Sequence, residues 1–228
     1  MEYKISPSLI CMDLLEAGRQ LEIMEHYADY LHVDIMDSRF VPSLGLFPGF
    51  VEAVKRKSRL PVDCHLMVKH PMDYIDTLAR MGAAVIVPHA EVMTTGAFRI
   101  LDQIEACGCK AGVAVNPATP LDMVRPYLHR IRRLTVMTIE PGFPGAPFIW
   151  EMVEKIREAA RIRQELGLDF EIEMDGSLCD NNLKKLREAG CDVFVAGAAA
   201  LFGRTADLEA AFIQLRSRFD EENIADEG

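Results

Sequence analysis

The feature that most constrains the fold is a regular alternation of short apolar segments with amphipathic segments along the 228-residue chain. The apolar segments are rich in β-branched residues, which is typical of strands, and the amphipathic segments repeat apolar residues at helical spacing. The predicted strands are Tyr3–Leu9, Asp29–Asp37, Pro61–Val68, Ala83–His89, Lys110–Val115, Leu134–Ile139, Phe170–Asp175 and Asp192–Ala196. The predicted helices are Met12–Ala28 with Asp13 as N-cap, Gly49–Ser58, Pro71–Met81, Gly96–Cys107, Leu121–Ile131, Phe148–Leu166, Asn181–Ala189 and Leu208–Phe219.

Eight strands, each followed by a helix, predict an α/β protein of the (β/α)8 TIM-barrel type. No linker or change of composition divides the chain, so we expect a single barrel domain over residues 1–220. The acidic residues 221–228 are predicted to form a disordered tail. A doubly wound open sheet is the structural alternative, because it also alternates strands with helices.

Composition excludes some classes of function. The net charge of −10 argues against a nucleic-acid-binding surface, which needs clustered Lys and Arg. No apolar run approaches the roughly 20 residues that a membrane helix requires. The six cysteines are scattered without a CxxC pair, and the N-terminus lacks the pattern of a signal peptide. We therefore expect a cytoplasmic protein with free thiols and no membrane partner.

Four residues near predicted strand ends suit a metal site. His32 and Asp34 are two apart on one strand and therefore share a face. His65 and Asp175 lie near the ends of two further strands, and the carboxyl ends of barrel strands meet at one mouth. Two imidazoles and two carboxylates suit zinc, manganese, iron or cobalt better than copper. Taken alone, the pair on the first of these strands is equally compatible with a buried His–Asp hydrogen bond.

The two carboxylates suggest a reaction. Asp34 and Asp175 are predicted on opposite sides of the mouth, which suits removing a proton from one face of a carbon and returning one to the other. A metal ion held beside them would polarise a carbonyl and stabilise an enediolate. A hydrolytic site, in which one carboxylate activates water, is the alternative.

Glycine turns follow the last three predicted strands. Loops at this position commonly bind phosphate through backbone N–H groups, without needing Lys or Arg. The turns are Gly142-Phe143-Pro144-Gly145, Gly176-Ser177 and Gly197-Ala198-Ala199.

Other polar and sulfur-containing residues receive structural interpretations. Met36, Met67 and Met137 are predicted to face the mouth as a soft, low-dielectric wall, although a methionine is most often core filler. His89, a lone histidine at a strand end, is assigned a packing or hydrogen-bonding role. An ion-pair cluster low in the barrel is predicted from Lys4, Glu171 and Glu173.

Together these motifs resemble the ribulose-phosphate 3-epimerase family over nearly the whole chain. The similarity is carried by Ser6-Pro7-Ser8-Leu9, His32-Val33-Asp34-Ile35-Met36-Asp37, Phe40-Val41-Pro42, Asp63-Cys64-His65-Leu66-Met67-Val68, Val136-Met137-Thr138, Pro141-Gly142-Phe143, Pro147-Phe148-Ile149 and Asp175-Gly176.

The resemblance implies a homo-oligomeric, metal-dependent isomerase that inverts C3 of a phosphorylated ketose through an enediolate. It implies one divalent ion (Zn, Mn, Fe, Co or Mg) held by His32, Asp34, His65 and Asp175, with the two aspartates exchanging acid and base roles. Ser8 and His65 are implied as substrate contacts. The implied phosphate and substrate loops contain Gly142, Phe143, Gly145, Gly176, Ser177, Gly197 and Ala198.

Three features favour the D-allulose-6-phosphate 3-epimerase branch, whose product is D-fructose 6-phosphate. They are the segment Cys11-Met12-Asp13-Leu14-Leu15, Ser177 where the ribulose branch usually has glycine, and Leu201-Phe202. The alternative substrate is D-ribulose 5-phosphate, epimerised to D-xylulose 5-phosphate.

Departures from the family pattern lie mainly in the two loops predicted to cover the site, and they bear on substrate identity more than on reaction type. They are Ser38, Arg39, Ser43, Glu140 and Ala146. A catalytically inactive phosphosugar-binding barrel is therefore a second alternative. A sugar-phosphate decarboxylase or aldolase is disfavoured because no strand-end lysine is present.

Overall fold

The computed structural model describes residues 3–143 and 145–225 as one barrel of eight parallel strands. Neighbours in the sheet follow the order β1-β8-β7-β6-β5-β4-β3-β2, so β2 to β7 each pair with the next strand along the chain and β8 pairs with β1. The barrel closes between β1 and β2 through a Ser8–His32 bridge and a 2.9 Å bond from Asp29 N–H to the Ile5 carbonyl. An open doubly wound sheet is thereby excluded. The strands are β1 Lys4–Pro7, β2 Leu31–Met36, β3 Val62–Met67, β4 Ala83–Pro88, β5 Lys110–Val115, β6 Arg133–Met137, β7 Glu171–Asp175 and β8 Val193–Ala196.

Helices cover the outside of the barrel. A four-residue helix, α4, follows β4 after the single residue His89 and precedes the longer α5. The helices are α1 Ala17–Tyr27, α2 Pro48–Lys57, α3 Met72–Met81, α4 Ala90–Met93, α5 Ala97–Ala106, α6 Met152–Glu165, α7 Asp180–Glu188 and α8 Leu208–Ala225. None of the helices within the described residues has both the length and the apolar character needed to span a bilayer.

Several predicted helices are wrong in detail, including the one predicted from Phe148, which begins at Met152. The predicted helix Leu121–Ile131 is two 3₁₀ segments, Leu121–Met123 and Arg125–Arg130. Pro126 lies in the second segment, and a proline removes a backbone donor that a continuous α-helix would need.

Helix α1 also starts later than predicted. The helix begins at Ala17 after Glu16, and Asp13 instead accepts the Leu15 N–H in a local turn. The short side chain of aspartate commonly makes such a bond two residues on, in competition with helix capping.

The last helix and the segment after β8 add structure that the sequence did not predict. Helix α8 continues to Ala225, beyond the predicted domain end at residue 220, and residues 226–228 lie outside the described part of the chain. A π-helix at Ala198–Phe202 begins directly after Gly197, where only a glycine turn was predicted.

Strand alternation separates two apolar layers. On β2, Val33 and Ile35 point outward and join the large core between strands and helices. The inward face of the barrel carries a separate small cluster, which includes Val85, Val87 and Ala114. Because successive side chains of a strand face opposite ways, His32 and Asp34 must point into the barrel. The outer hydrophobic core thus fixes the register that presents the polar site.

Candidate active site

Four side chains converge at the carboxyl-terminal mouth of the barrel. Their candidate ligand atoms all lie within 4.8 Å of one another. His32 Nε2 lies 3.3 Å from Asp34 Oδ1 and 3.7 Å from Asp175 Oδ2. His65 Nδ1 lies 3.3 Å from Asp34 Oδ1 and 3.2 Å from Asp175 Oδ2. The structure therefore brings together the quartet predicted from strands two, three and seven.

The cluster has the properties of a cation site. His32 Nε2 is buried and makes no hydrogen bond to any described residue, although two carboxylates lie nearby. An unpartnered buried ring nitrogen facing two carboxylates fits a divalent ion that would complete its coordination. His32, Asp34, His65 and Asp175 are thus able to hold a divalent metal through two nitrogens and two oxygens.

Electrostatic coupling within the cluster is strong. Burial opposes the charged form of His65, but hydrogen bonds to Asp175 and Asp34 outweigh burial and raise the pKa of this histidine to about 9. The pKa of Asp34 is lowered despite burial, because His32 and His65 favour its ionised form. Without a metal, protons on the histidines supply the positive charge that the carboxylates require.

Hydrogen bonds from outside the quartet orient its members. The Ser8 hydroxyl donates to Asp34 Oδ2 at 2.8 Å. His32 Nδ1 lies 3.3 Å from Asp63 Oδ2, so its other ring nitrogen faces the cluster. Such carboxylate–histidine contacts fix the tautomer and the ring orientation of metal ligands. His89, the lone histidine of β4's end, is buried against His65, which confirms its predicted hydrogen-bonding role.

An ion cluster lies below the quartet, inside the barrel. Lys4 contacts Glu171, as predicted, but the centre of the cluster is Arg133, which sequence reasoning missed. Its guanidinium donates to Asp63 at 2.6 Å and Glu173 at 2.9 Å, and a second nitrogen donates to Glu171 at 2.6 Å. Burial and the nearby Asp63 charge raise the pKa of Glu173 to about 8, because Arg133 cannot neutralise every carboxylate around it. The cluster supports His32 through Asp63.

An open cavity of about 740 Å³, which includes its solvent-open part, lies above the quartet. The three predicted methionines line it, so the expected sulfur-containing wall is present. Ile10, Cys11, Ile139 and Leu178 also line it and were not among the predicted site residues. The predicted site residues in its lining are Ser8, Asp34, Gly142, Phe143, Gly145, Asp175, Gly176, Ser177, Gly197 and Ala198.

At two positions of the mouth the backbone conformation requires glycine. Gly142 has φ +82°, and a Cβ there would lie 2.6 Å from Cβ of Val41. Gly176 has φ +123°, and its Cβ would lie 2.5 Å from Ile139. Both positions need the left-handed conformation and lack room for a side chain. The chain can therefore pass close to the cavity at these turns.

Polar contacts connect the loops at the rim. The Ser43 hydroxyl donates to the Gly142 carbonyl at 2.7 Å, and the Ser177 hydroxyl donates to the Ala146 carbonyl. Two of the family departures, Ser43 and Ala146, thus connect loops. Arg39 is exposed and is not among the described residues that line the cavity.

Comparison with known proteins gives a consistent result. The chain matches the family described as Ribulose-phosphate 3 epimerase over residues 4–202. It is 38% identical over 197 residues to ribulose-phosphate 3-epimerase of Synechocystis sp., covering 86% of each chain. It is 35% identical over 215 residues to ribulose-phosphate 3-epimerase of Bacillus subtilis, covering 93% of this chain and 98% of the relative.

A solved structure supports the fold alone. The 3-hexulose-6-phosphate synthase of Salmonella typhimurium superposes with a TM-score of 0.70 at 15% identity, covering 96% of this chain and 99% of the other. At this identity the likeness shows a shared barrel and carries no substrate.

Proposed function

From the premise that the chain belongs to the ribulose-phosphate 3-epimerase family, we propose that it interconverts D-ribulose 5-phosphate and D-xylulose 5-phosphate. Enzymes of this family are isomerases that use one divalent metal ion, and the His/Asp cluster is able to bind one. The observation that carries the proposal is the position of Asp34 and Asp175. They come from non-adjacent strands, and both line the cavity and belong to the candidate ligand cluster.

In the proposed reaction one aspartate acts as base and the other as acid. One carboxylate takes the proton from C3 of the substrate, the C3–H electron pair becomes the C2–C3 double bond, and the carbonyl electrons move onto the C2 oxygen. The other aspartate then delivers a proton to the opposite face of C3, and the carbonyl re-forms. One proton leaves and one returns, so the product is an isomer. His32, Asp34, His65 and Asp175 would hold the divalent ion, which would supply Lewis-acid stabilisation of the negative oxygen.

The carboxylates of Asp34 and Asp175 differ in their hydrogen bonding. The Ser8 hydroxyl bonds Asp34 Oδ2, which holds that carboxylate in one orientation. Asp175 Oδ1 accepts no hydrogen bond from the described residues, and the Asp175 side chain is 14% exposed at the mouth. An oxygen without a protein partner is available to a substrate proton. The roles exchange when the reaction runs in reverse.

The phosphate is proposed to bind at the rim formed by the turns after β6, β7 and β8. The described residues lining the cavity include no lysine or arginine. Backbone N–H groups are therefore the proposed donors, and the π-helix Ala198–Phe202 offers its first turn at the mouth. This arrangement reconciles an anionic substrate with a net charge of −10.

D-Allulose 6-phosphate is the second candidate substrate. Cys11 and Ser177, two of the residues that favoured the six-carbon branch, line the cavity. Side chains at these positions would affect the preference for a five-carbon or a six-carbon substrate. Leu201 is buried, and neither it nor Phe202 is part of the lining, so this pair gives no direct support. The names of the curated relatives favour the five-carbon substrate.

Side-by-side turnover on D-ribulose 5-phosphate and D-allulose 6-phosphate tests the proposal. We expect the higher kcat/KM with the five-carbon substrate. The reverse preference would retain the reaction and reassign the substrate, whereas no turnover of either would overturn the proposed function. The homo-oligomeric state is a further proposal, which light scattering of the purified protein tests.

A further inference from the structure

A second histidine and a glutamate continue the site into the wall of the barrel. His65 Nε2 lies 2.8 Å from His89 Nε2, and His89 Nδ1 lies 3.1 Å from Glu91 Oε2. Both histidines are fully buried. Asp34 and Asp175 lie on the other side of His65, at Nδ1. The contacts therefore form one line from the ligand cluster through two imidazoles to a carboxylate.

If His65 binds the ion through Nδ1, the hydrogen bonds along this line can run in only one direction, with His65 donating to His89 and His89 donating to Glu91. The ligating nitrogen must offer a lone pair, so the proton of the neutral ring lies on Nε2. Two ring nitrogens 2.8 Å apart need one donor and one acceptor, so His89 Nε2 must accept. His89 then carries its proton on Nδ1 and donates it to Glu91.

The far end of the line fixes that direction. Glu91 Oε1 accepts the Asn116 N–H at 2.9 Å and the Thr119 hydroxyl. Burial would raise the pKa of Glu91, but these bonds and the bond from His89 outweigh burial and lower the pKa to about 2. Glu91 is thus a carboxylate that can only accept, and it selects the Nδ1–H form of His89.

Aromatic packing holds this line of side chains, the His65–His89–Glu91 relay, in place. The rings of His65 and His89 are close to parallel, with an interplanar angle of 21° and centroids 4.9 Å apart, as an in-plane hydrogen bond between their edges requires. Phe40, from the loop after β2, also packs against His89, with the two ring centroids 4.6 Å apart. Side-chain rotation that would break the two hydrogen bonds is therefore hindered.

We propose that His89 and Glu91 are positioning residues that set the tautomer of His65 and so present its Nδ1 lone pair to the divalent ion. Neither residue lines the cavity, so they act through His65 and not on the substrate. The inference rests on the proposed ligand role of His65. Outer hydrogen-bond partners of metal-binding histidines typically contribute 10–100-fold in metal affinity.

Glu91→Gln inverts the relay without changing its shape. The Asn116 N–H can only donate, so the glutamine carbonyl must face it and the NH₂ group must face His89 Nδ1. His89 then becomes a donor at Nε2, and His65 is driven to carry its proton on Nδ1, the ligating atom. We expect Co²⁺ affinity, measured by competition with a chromophoric chelator, to fall 10–100-fold.

Asp192→Asn is the matched control, since it also converts a partly buried carboxylate to an amide. Asp192 precedes β8 at the other end of the barrel, where it pairs with Arg163. We expect its Co²⁺ affinity to stay within about twofold of wild type. Circular dichroism on each variant at the titration temperature ensures that only folded protein is compared.

Two outcomes separate the relay from the ligand assignment. If His65→Ala binds Co²⁺ as tightly as wild type, the proposed ligand set itself fails. If His65→Ala loses affinity but Glu91→Gln matches wild type, only the relay fails. In Zn²⁺-loaded wild-type protein, long-range ¹H–¹⁵N spectra of the histidine rings must show His89 protonated at Nδ1. Protonation at Nε2 would overturn the proposal regardless of any variant.

Discussion

Asp34 and Asp175 lie on strands three places apart in the barrel, yet each has an oxygen within 3.3 Å of the same atom, His65 Nδ1. This closeness puts the two proposed proton-transfer groups beside one candidate metal position. Each strand contributes a carboxylate near its carboxyl end, where parallel barrel strands converge. The proposed removal of a proton from one face of C3 and delivery of a proton to the other is based on this relationship.

Asp175→Asn is expected to lower kcat by about 10²–10⁴-fold, the usual contribution of a positioned acid or base. The fold should persist, because Asp175 lies at the open mouth and not within the hydrophobic core. Turnover and circular dichroism on the same preparation check both points. Asp169→Asn, a fully exposed carboxylate before β7, should retain wild-type turnover. Near-normal turnover by Asp175→Asn would remove this residue from the acid–base pair.

Metal binding should strengthen with rising pH. The pKa of His65 in the metal-free cluster is raised to about 9, so below that pH its proton must leave before Nδ1 can bind an ion. Proton and metal therefore compete, and displacement of the His65 proton alone should lower affinity by up to about tenfold for each pH unit below 9. Calorimetric titration with Zn²⁺ or Co²⁺ between pH 6.5 and 9 measures the slope. A constant affinity across this range would show that His65 releases no proton on binding.

Much of this site could be predicted from the sequence because its determinants are local. The two-residue spacing of His32 and Asp34 fixes their common face, and the end of each strand fixes the height of its residues in the barrel. The buried position of Arg133 could not be predicted in this way. Arginine is almost never fully buried unless it is paired, and its partners Asp63 and Glu173 are distant along the chain.

Residue spacing and composition also failed to predict two departures from regular α-helix. Apolar spacing over Leu121–Ile131 predicted an α-helix, but Pro126 favours the shorter 3₁₀ segments that the structure shows. The π-helix at Ala198–Phe202 has no distinctive composition, since alanine suits an α-helix equally well. Ala200 and Leu201 of this segment are buried, a tertiary contact that local composition does not reveal.

Arg133→Met is expected to destabilise the protein by about 3–5 kcal/mol, because it leaves Asp63 and Glu173 buried without their shared cation. Urea unfolding measures the change in free energy. Its neighbour Arg132 provides a control, since that side chain is 58% exposed and its contact with Asp169 is at the surface. Arg132→Met should change stability by less than about 0.5 kcal/mol. Equal effects at the two positions would show that the buried cluster does not depend on its arginine.

Gly142→Ala and Gly145→Ala separate backbone strain from lack of space. The two glycines have almost the same φ, +82° and +81°, but only Gly142 has a neighbour, Val41, in the way of a Cβ. Gly145→Ala should cost about 1 kcal/mol through conformation alone. Gly142→Ala should cost about 2–4 kcal/mol, since the clash adds overpacking. Urea unfolding compares the pair, and indistinguishable midpoints would mean that the loop moves to accept the methyl group.

The most direct test of the account is the fate of the C3 hydrogen during turnover of D-ribulose 5-phosphate in D₂O. Two aspartates that exchange protons with solvent should produce D-xylulose 5-phosphate carrying deuterium at C3, as read by NMR. Exhaustive chelation should stop both conversion and exchange, and re-addition of a divalent ion should restore them. Conversion without deuterium at C3, or full conversion by chelated, metal-free protein, would contradict the proposed mechanism.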